Sequence, residues 1–352
     1  MRELNMAVIG AGRIGKLHAE NIATQVRCAR LAGVADLNLC LAQEVAARCR
    51  ISVATDNPRV LLDDPQVDGV AICSATETHA QLIVEAAAAG KHIFCEKPVD
   101  FDLARIHQCL EAVGKAGVKL QIGFNRRFDP SFVKVRDLIA SGAIGQPQVV
   151  RITSRDPAPP PIDYIKSSGG LFLDMTIHDF DMVRFLTGSE AEEIHALGDA
   201  LVDAEIGRVG DVDTAVVTLR LANGALASID NSRRAAYGYD QRAEVLGSSG
   251  LASASNRPLD CHSLANADGF HSSRWQGFIF DRYRESYIAE IQSFVDCVLQ
   301  NHEPAVNGHD GRMAVVMALA ARQSLQERRA VALNEISRDD ATICFSQAIA
   351  QG

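Results

Sequence analysis

The feature that most constrains this chain is a glycine turn set at the end of its first apolar run. Met6–Ile9 leads directly into Gly10-Ala11-Gly12-Arg13-Ile14-Gly15, and a helix is predicted to begin near Ile14. Each glycine has its own physical reason. Gly10 permits a tight turn, Gly12 lets a pyrophosphate approach the backbone, and Gly15 lets helix and strand pack closely while the first helical N–H groups face the anion. The hexapeptide alone is a weak signal, and its context strengthens it. Strand, glycine turn, helix and second strand follow in order, and Asp36 closes the second strand about 20 residues after the last glycine. A carboxylate there accepts hydrogen bonds from both ribose hydroxyls of NAD and repels the 2′-phosphate of NADP. The expected cofactor is therefore NAD. FAD is a rival that the fingerprint alone does not distinguish, and a purely structural turn is the plainer alternative.

The same alternation continues through the first third of the chain. Met6–Ile9, Leu31–Ala35, Val67–Cys73, His92–Cys95 and Lys119–Phe124 are short and apolar throughout, as strands buried on both faces should be. Between them, His18–Gln25, Leu39–Cys49, His79–Ala89 and Leu103–Ala116 carry helix formers with apolar residues at three-to-four spacing. This pattern predicts a doubly wound parallel sheet, an N-terminal Rossmann dinucleotide-binding domain over residues 1–123. The expected cofactor residues are Gly10, Ala11, Gly12, Arg13, Ile14 and Asp36 at the first turn. Ser74, Ala75, Thr76 and His79 join them after the third apolar run, and Glu96 and Lys97 after the fourth.

Beyond Phe124 the pattern changes. A Pro-rich loop at Pro157–Pro161 precedes one helix over about Gly170–Leu186, and then come longer alternating segments at Thr214–Leu221, Ala225–Asn231 and Arg242–Leu246. Asn223-Gly224 is a strong hairpin signal between the first two. Arg282–Gln300 and Gly311–Glu327 read as two further helices, the second closing at Arg328-Arg329, where basic side chains suit a helix C-terminus. Residues 124–352 are thus expected to form an α+β domain with a mostly antiparallel sheet.

A net charge of -9 leaves no surplus of Lys and Arg to neutralise phosphates, which argues against a nucleic-acid partner and for a small molecule. No apolar stretch approaches bilayer length and the first residues lack a signal-peptide core, so a cytoplasmic protein is expected. Nine cysteines without a C-x-x-C pair fit reduced thiols that pack as small apolar residues.

Two constellations carry chemistry. Glu96-Lys97-Pro98 follows an apolar run, which places Lys97 at the carboxyl edge of the sheet, where doubly wound folds bind ligands. Pro98 restricts the backbone of Lys97, and a cis bond there would aim the ammonium group into the cleft. A surface Lys-Pro turn is the bland alternative. In the segment from Gly169 to Asp181, Asp174, His178 and Asp181 stand four and then three residues apart, which on one helix puts them on one face. A solvated face or a metal site would also fit, but the spacing matches no zinc pattern and no metal is expected. Oxidation of an alcohol needs a base for the hydroxyl proton, and histidine titrates nearest to neutral pH. His178 is then the natural base, with Asp174 orienting it and Lys97 stabilising charge on the oxygen.

At these residues the chain resembles the oxidoreductase family that includes glucose-fructose oxidoreductase and inositol 2-dehydrogenase (Gfo/Idh/MocA). The resemblance covers nearly the whole chain. It rests on the glycine turn, Ala75-Thr76-Glu77-Thr78-His79, Glu96-Lys97-Pro98, Asn125-Arg126-Arg127-Phe128-Asp129 and the Gly-Gly to His-Asp helix. Ser154-Arg155-Asp156 with the prolines behind it, Asp174–Asp181 and Tyr237-Gly238-Tyr239-Asp240-Gln241-Arg242 are similar to the inositol-oxidising branch of that family. The resemblance implies Lys97, Asp174 and His178 as the catalytic group, with Asp181 and Tyr237 touching substrate hydroxyls and Asn125, Arg127, Asp156 and Tyr283 as further substrate-site candidates. It implies that residues 124–352 carry a large open sheet that binds substrate and buries its face against another subunit, giving dimers or tetramers, with a homotetramer expected. It implies NAD-dependent oxidation of myo-inositol to a keto-inositol. Another inositol isomer or an aldopyranose is the alternative substrate. A silent dinucleotide-binding sensor would have no need of Lys97, Asp174 and His178 together.

Overall fold

Strands β1 (Leu4–Ile9), β2 (Ala29–Ala35), β3 (Ala54–Thr55), β4 (Gly69–Ile72), β5 (His92–Glu96) and β6 (Leu120–Gly123) form one parallel sheet in the order β3-β2-β1-β4-β5-β6. They come from a computed structural model that describes residues 2–336; the end of the expected second domain, 337–352, lies outside the described residues. The strand order reverses at β1 and β4, successive strands adding first to one side and then to the other, which creates the crevice at the carboxyl ends where such sheets bind ligands. The five predicted strands are all present, within a few residues. The two-residue edge strand β3 is too short to leave a period in the sequence.

The first compact unit consists of this sheet, the chain to Phe128, and the later segment Glu285–Val315. Helices Arg13–Thr24 and Leu39–Cys49 and the helix Arg284–Gln300 supply Ala19, Ile22, Val45, Ile291, Phe294 and Val295 to a core with Met6, Val8 and Phe94. Phe294 meets Phe94 edge-on at 6.2 Å. Each such fully buried side chain contributes about 1.5–3 kcal/mol relative to leaving it in water. Helix Leu103–Ala116 starts where Asp102 accepts from the N–H groups of Ala104 and Arg105, and ends at Gly117 with φ +66°, a left-handed cap.

The second unit comprises Asp129–Arg284 and the chain from Val316. It contains β7 (Pro147–Arg155), β8 (Ala191–Asp199), β9 (Thr214–Leu221), β10 (Leu226–Ser232), β11 (Asp240–Gly247), β12 (Gly250–Ala254), the small hairpin β13 (Ser263–Asn266) and β14 (Gly269–Ser272), and β15 (Val331–Ala332). Seven of them form a sheet in the order β12-β11-β7-β10-β9-β8-β15, in which only β7 and β10 run parallel. On β9, Ala215, Val217, Leu219 and Leu221 are buried while Val216, Thr218 and Arg220 are exposed. One face is thus covered and the other open. On the open face Leu251, Leu246, Val149 and Leu226 stand in register across four strands, and Val216 pairs with Leu197.

One expectation is met and one changes. The Asn223-Gly224 turn joins the antiparallel β9 and β10 as a hairpin, with Gly224 at φ +85°. The helix predicted over Gly170–Leu186 is two pieces, a π-helical turn at Phe172–Thr176 and an α-helix at Ile177–Thr187. The turn is anchored at both ends. Leu171 N–H donates to both oxygens of Asp211 at 3.1 Å, and Thr176 Oγ1 donates to Asn231 Oδ1 at 2.6 Å. Asp174 thus stands on the π-helical turn, and His178 and Asp181 stand on the α-helix that follows it.

The eight cysteines among the described residues are free thiols, and no helix there is long and apolar enough to cross a membrane. A Cβ on residue 15 would fall 1.7 Å from Gly10 O. Gly15→Ala should therefore force strand and helix apart and destabilise by about 1–3 kcal/mol or more, read as a lowered urea midpoint with unchanged slope.

Candidate active site

The crevice at the switch point is a cleft of about 560 Å3. Gly10, Gly12, Asp36, Ser74 and Ala75 of the predicted set line it; Ala11, Arg13, Ile14, Thr76, His79, Glu96 and Lys97 do not. Gly10 takes φ +99°, and a Cβ at Gly12 would meet nothing within 4 Å, so the turn leaves open space over its backbone. Helix Arg13–Thr24 begins there with no side-chain cap and no acidic residue in its first turn, which leaves its N-terminal N–H groups for a bound anion. Asp36 is held by Ala11 N–H at 2.6 Å and Asn38 N–H at 2.8 Å. A carboxylate has lone pairs left after two bonds, enough for ribose hydroxyls. Pro58, Gln81, Leu82 and Glu85 extend the wall, so the lining carries two carboxylates and no Lys or Arg. These residues fit NAD.

Past the cleft, Lys97 follows β5 and its bond to Pro98 is cis. His79 is buried, with Nδ1 2.8 Å from Pro98 O and Nε2 3.1 Å from Ser74 O, so its ring ties the segment after β4 to the segment after β5. Burial pushes its pKa down, against the two carbonyl oxygens, which push it up. Asn125, also buried, opens a 3-10 turn, and its amide nitrogen has no partner among the described residues. Arg127 donates to Asp310 Oδ1 at 3.0 Å, and that pair is almost wholly buried.

In the second unit the predicted carboxylates divide by what holds them. Asp174 accepts from Tyr164 Oη at 2.8 Å and from the fully buried Arg233 at 3.0 Å. His178 and Asp181 are buried in the helix Ile177–Thr187. Between them Asp179 accepts from Ser154 Oγ and Asn231 Nδ2, both at 2.8 Å, which fixes the rotation of that helix against β7 and β10. Asp156 bonds through its backbone to Ser232 and Ala235. Tyr237 is half exposed; its hydroxyl donates to Asp240 at 2.8 Å and accepts from Arg155 at 2.7 Å. Burial and the Asp240 carboxylate hold its phenol above the ordinary range, and Arg155 works against them. Tyr283 is fully buried and bonds Gln241 Oε1 at 3.3 Å.

Tyr164, Arg233 and Asp211 were not singled out in the sequence. For Arg233 a signal existed. After Asn231 in β10, Arg233 and Ala235 continue the strand's alternation past its end as buried residues while Arg234 is exposed. Tyr164 and Asp211 carry no such signal, since each reaches the π-helical turn from a loop or short helix.

The carboxylate-lined cleft makes a cofactor prediction. Asp36→Ser should narrow the preference for NAD over NADP by about 1–3 kcal/mol, the worth of charge-assisted hydrogen bonds, read as the ratio of kcat/KM for the two dinucleotides. Equal use of NADP by the unaltered enzyme would refute the role of Asp36.

Known proteins resemble this chain over most of its length. Residues 4–124 match the model of an oxidoreductase family with an NAD-binding Rossmann fold, and residues 132–253 match the GFO/IDH/MocA C-terminal domain. The myo-inositol 2-dehydrogenase of Thermotoga maritima is 49% identical over 95% of this chain and 99% of its own. The inositol 2-dehydrogenase of Rhizobium meliloti is 46% identical over 94% and 99%. The crystal structure of scyllo-inositol dehydrogenase from Lactobacillus casei, with bound NAD(H) and scyllo-inositol, superposes with a TM-score of 0.89 at 28% identity, covering 95% of this chain and 100% of that one. The chain belongs to the Gfo/Idh/MocA family of NAD-binding oxidoreductases.

Proposed function

We propose that this oxidoreductase oxidises a ring hydroxyl of a cyclic polyol, myo-inositol first, to the corresponding keto-inositol. The cofactor is assigned to the first unit, and substrate recognition and self-association to the second. The observation that carries the substrate class is the state of Arg127, the one predicted anion partner beyond the catalytic Lys97. Arg127 is already paired with Asp310, so no free guanidinium is offered to a phosphate or carboxylate there. The remaining candidates, Asn125, Asp156, Asp174, His178, Asp181, Tyr237 and Tyr283, are acceptors or neutral hydroxyl-bonding groups, the inventory that a polyol needs. The names of the inositol dehydrogenases reported above support the same reading. The bound scyllo-inositol of the Lactobacillus casei protein makes that isomer the second reading.

In this reading the bound nicotinamide supplies the hydride acceptor. His178 takes the hydroxyl proton as the carbonyl forms, and Lys97 stabilises the charge that develops on the oxygen. Tyr164 and Arg233 hold the Asp174 carboxylate in one orientation. A cytoplasmic location fits the free thiols. The open face of the second sheet, with Leu197, Val216, Leu226, Leu246 and Leu251 each about half exposed, suits pairing of copies as one of the contacts of a tetramer.

A screen of inositol isomers, aldopyranoses, inositol phosphates and linear hydroxy acids by NADH absorbance should place myo-inositol first. Faster turnover of a phosphate or a linear acid than of every free ring polyol would overturn the substrate class. His178→Ala and Lys97→Ala should each lose about 100- to 10,000-fold in kcat while NADH affinity holds. Light scattering at micromolar concentration should give a multiple of 37.9 kDa, and a single species of that mass would overturn the assembly.

A further inference from the structure

Behind the strand end that carries Lys97 lies a cluster of ionisable side chains that the proposed chemistry does not use. His18 comes from the helix Arg13–Thr24, Glu96 is the last residue of β5, and Glu290 comes from the helix Arg284–Gln300. His18 and Glu290 are fully buried, and the Glu96 side chain is 12% exposed. His18 Nε2 lies 2.8 Å from Glu96 Oε1 and 3.8 Å from Glu290 Oε1. His18 Nδ1 and both carboxyl oxygens of Glu290 have no partner among the described residues. The rings of Phe94 and Tyr287 stand edge-on to His18 and seal the group from water.

We propose that His18 and Glu290 are positioning residues that fix the side chain of Glu96 and, through it, the strand end from which Lys97 departs. The proposal rests on the role given to Lys97 above. Glu96 accepts from His18 on one side, and on the other it packs against Gly123 of β6, where an added Cβ would stand 3.1 Å from its carboxyl group. Burial, and after it the like-signed Glu96 carboxylate, hold Glu290 well above the usual carboxyl range. Burial also pushes up the thiols of Cys73, which feels both carboxylates, and of Cys95, which feels Glu96. From β6 the amide of Gln121 goes to the backbone carbonyl of Glu290, not to its side chain. Like charges disfavour one another in so buried a place, and Glu290, the fully buried carboxyl, is the one held toward its protonated form.

A metal ion does not account for the cluster as well. Zinc would hold such ligands at about 2.0–2.2 Å, which sets neighbouring donor atoms roughly 3.0–3.5 Å apart. His18 Nε2 and Glu96 Oε1 stand closer, at a hydrogen-bond distance. When Glu290 loses its proton at alkaline pH, like charge appears beside Glu96. Glu96 is the partly exposed member and gives way, and Lys97 follows it.

The test uses the full chain and Glu290→Gln, which keeps the shape without the ionisation. Glu290 retains its proton in the folded state above about pH 4.3, where the unfolded carboxyl has lost it. Its stabilisation is thus fully present at lower pH and falls as pH rises toward the folded value. Denaturant midpoints should accordingly diverge in favour of Glu290→Gln as pH rises above about 5. Midpoints that stay parallel would overturn the proposal whatever the substrate proves to be. With the polyol that the enzyme turns over fastest, kcat of the unaltered enzyme should fall on the alkaline side at least about threefold more than that of Glu290→Gln. His18→Ala should lose about tenfold in kcat with NADH affinity held, and His18→Gln, which restores a donor to Glu96, should recover part of it. Identical alkaline profiles, or a stoichiometric metal in the purified protein, would overturn the positioning role. Unchanged kcat in Lys97→Ala would remove the role of Lys97 and this one with it, while the unfolding curves would still decide where the Glu290 proton resides.

Discussion

A carbonyl oxygen, that of Gly10, occupies the place where the side chain of any residue but glycine at position 15 would begin. This close approach sets the distance between β1 and the first helix, and the rest of the first unit is built on it. It brings the uncapped start of the helix to the carboxyl end of the sheet, where the dipole and the spare N–H groups favour an anion. Three residues further along the same helix, His18 is carried far enough into the sheet to reach the end of β5. One backbone contact thus fixes both the cofactor cleft and the cluster behind Lys97.

In the second unit the organising element is a buried polar network. Asp179 is fully buried and would be costly there without partners. Ser154 from β7 and Asn231 from β10 satisfy it, and Asn231 also receives Thr176 from the π-helical turn. Those bonds join the only parallel pair in the sheet to the helix that packs on it. His178 is the neighbour of Asp179, so the rotation set by the network also sets the direction of the imidazole. Deleting one member leaves the others buried and unpaired, which makes the network a device for fixing orientation more than for adding stability.

The sequence showed most where a single period or a single residue type decides the structure. Uniformly apolar runs gave β1, β2, β4, β5 and β6, and helix-forming stretches gave Leu39–Cys49 and Leu103–Ala116 at their observed ends. Asp36 was legible because its distance from the glycines is set by one βαβ unit. It showed least where structure depends on contacts distant along the chain. Strands β7 and β8 and the helix Pro130–Ala140 passed unread, although Asp129 caps that helix and Pro130 opens it, both readable signals. The π-helical turn could not be foreseen, because its anchors Asp211 and Asn231 lie 40 and 55 residues away. Nor does any local pattern announce that Glu285–Val315 returns to the first unit.

The shape of the second sheet limits how copies of it can join. One of its borders is β15, with two residues, and the other is β12, with five, so neither offers a long row of unpaired amides to a foreign strand. Addition of strands edge to edge, the route by which sheets grow into fibres, finds little purchase. The apolar row runs across the flat of the sheet instead, and a two-fold pairing of two such flats hides both at once. That contact is self-limiting: it ends at a pair, and larger closed assemblies have to draw on a different surface of the chain.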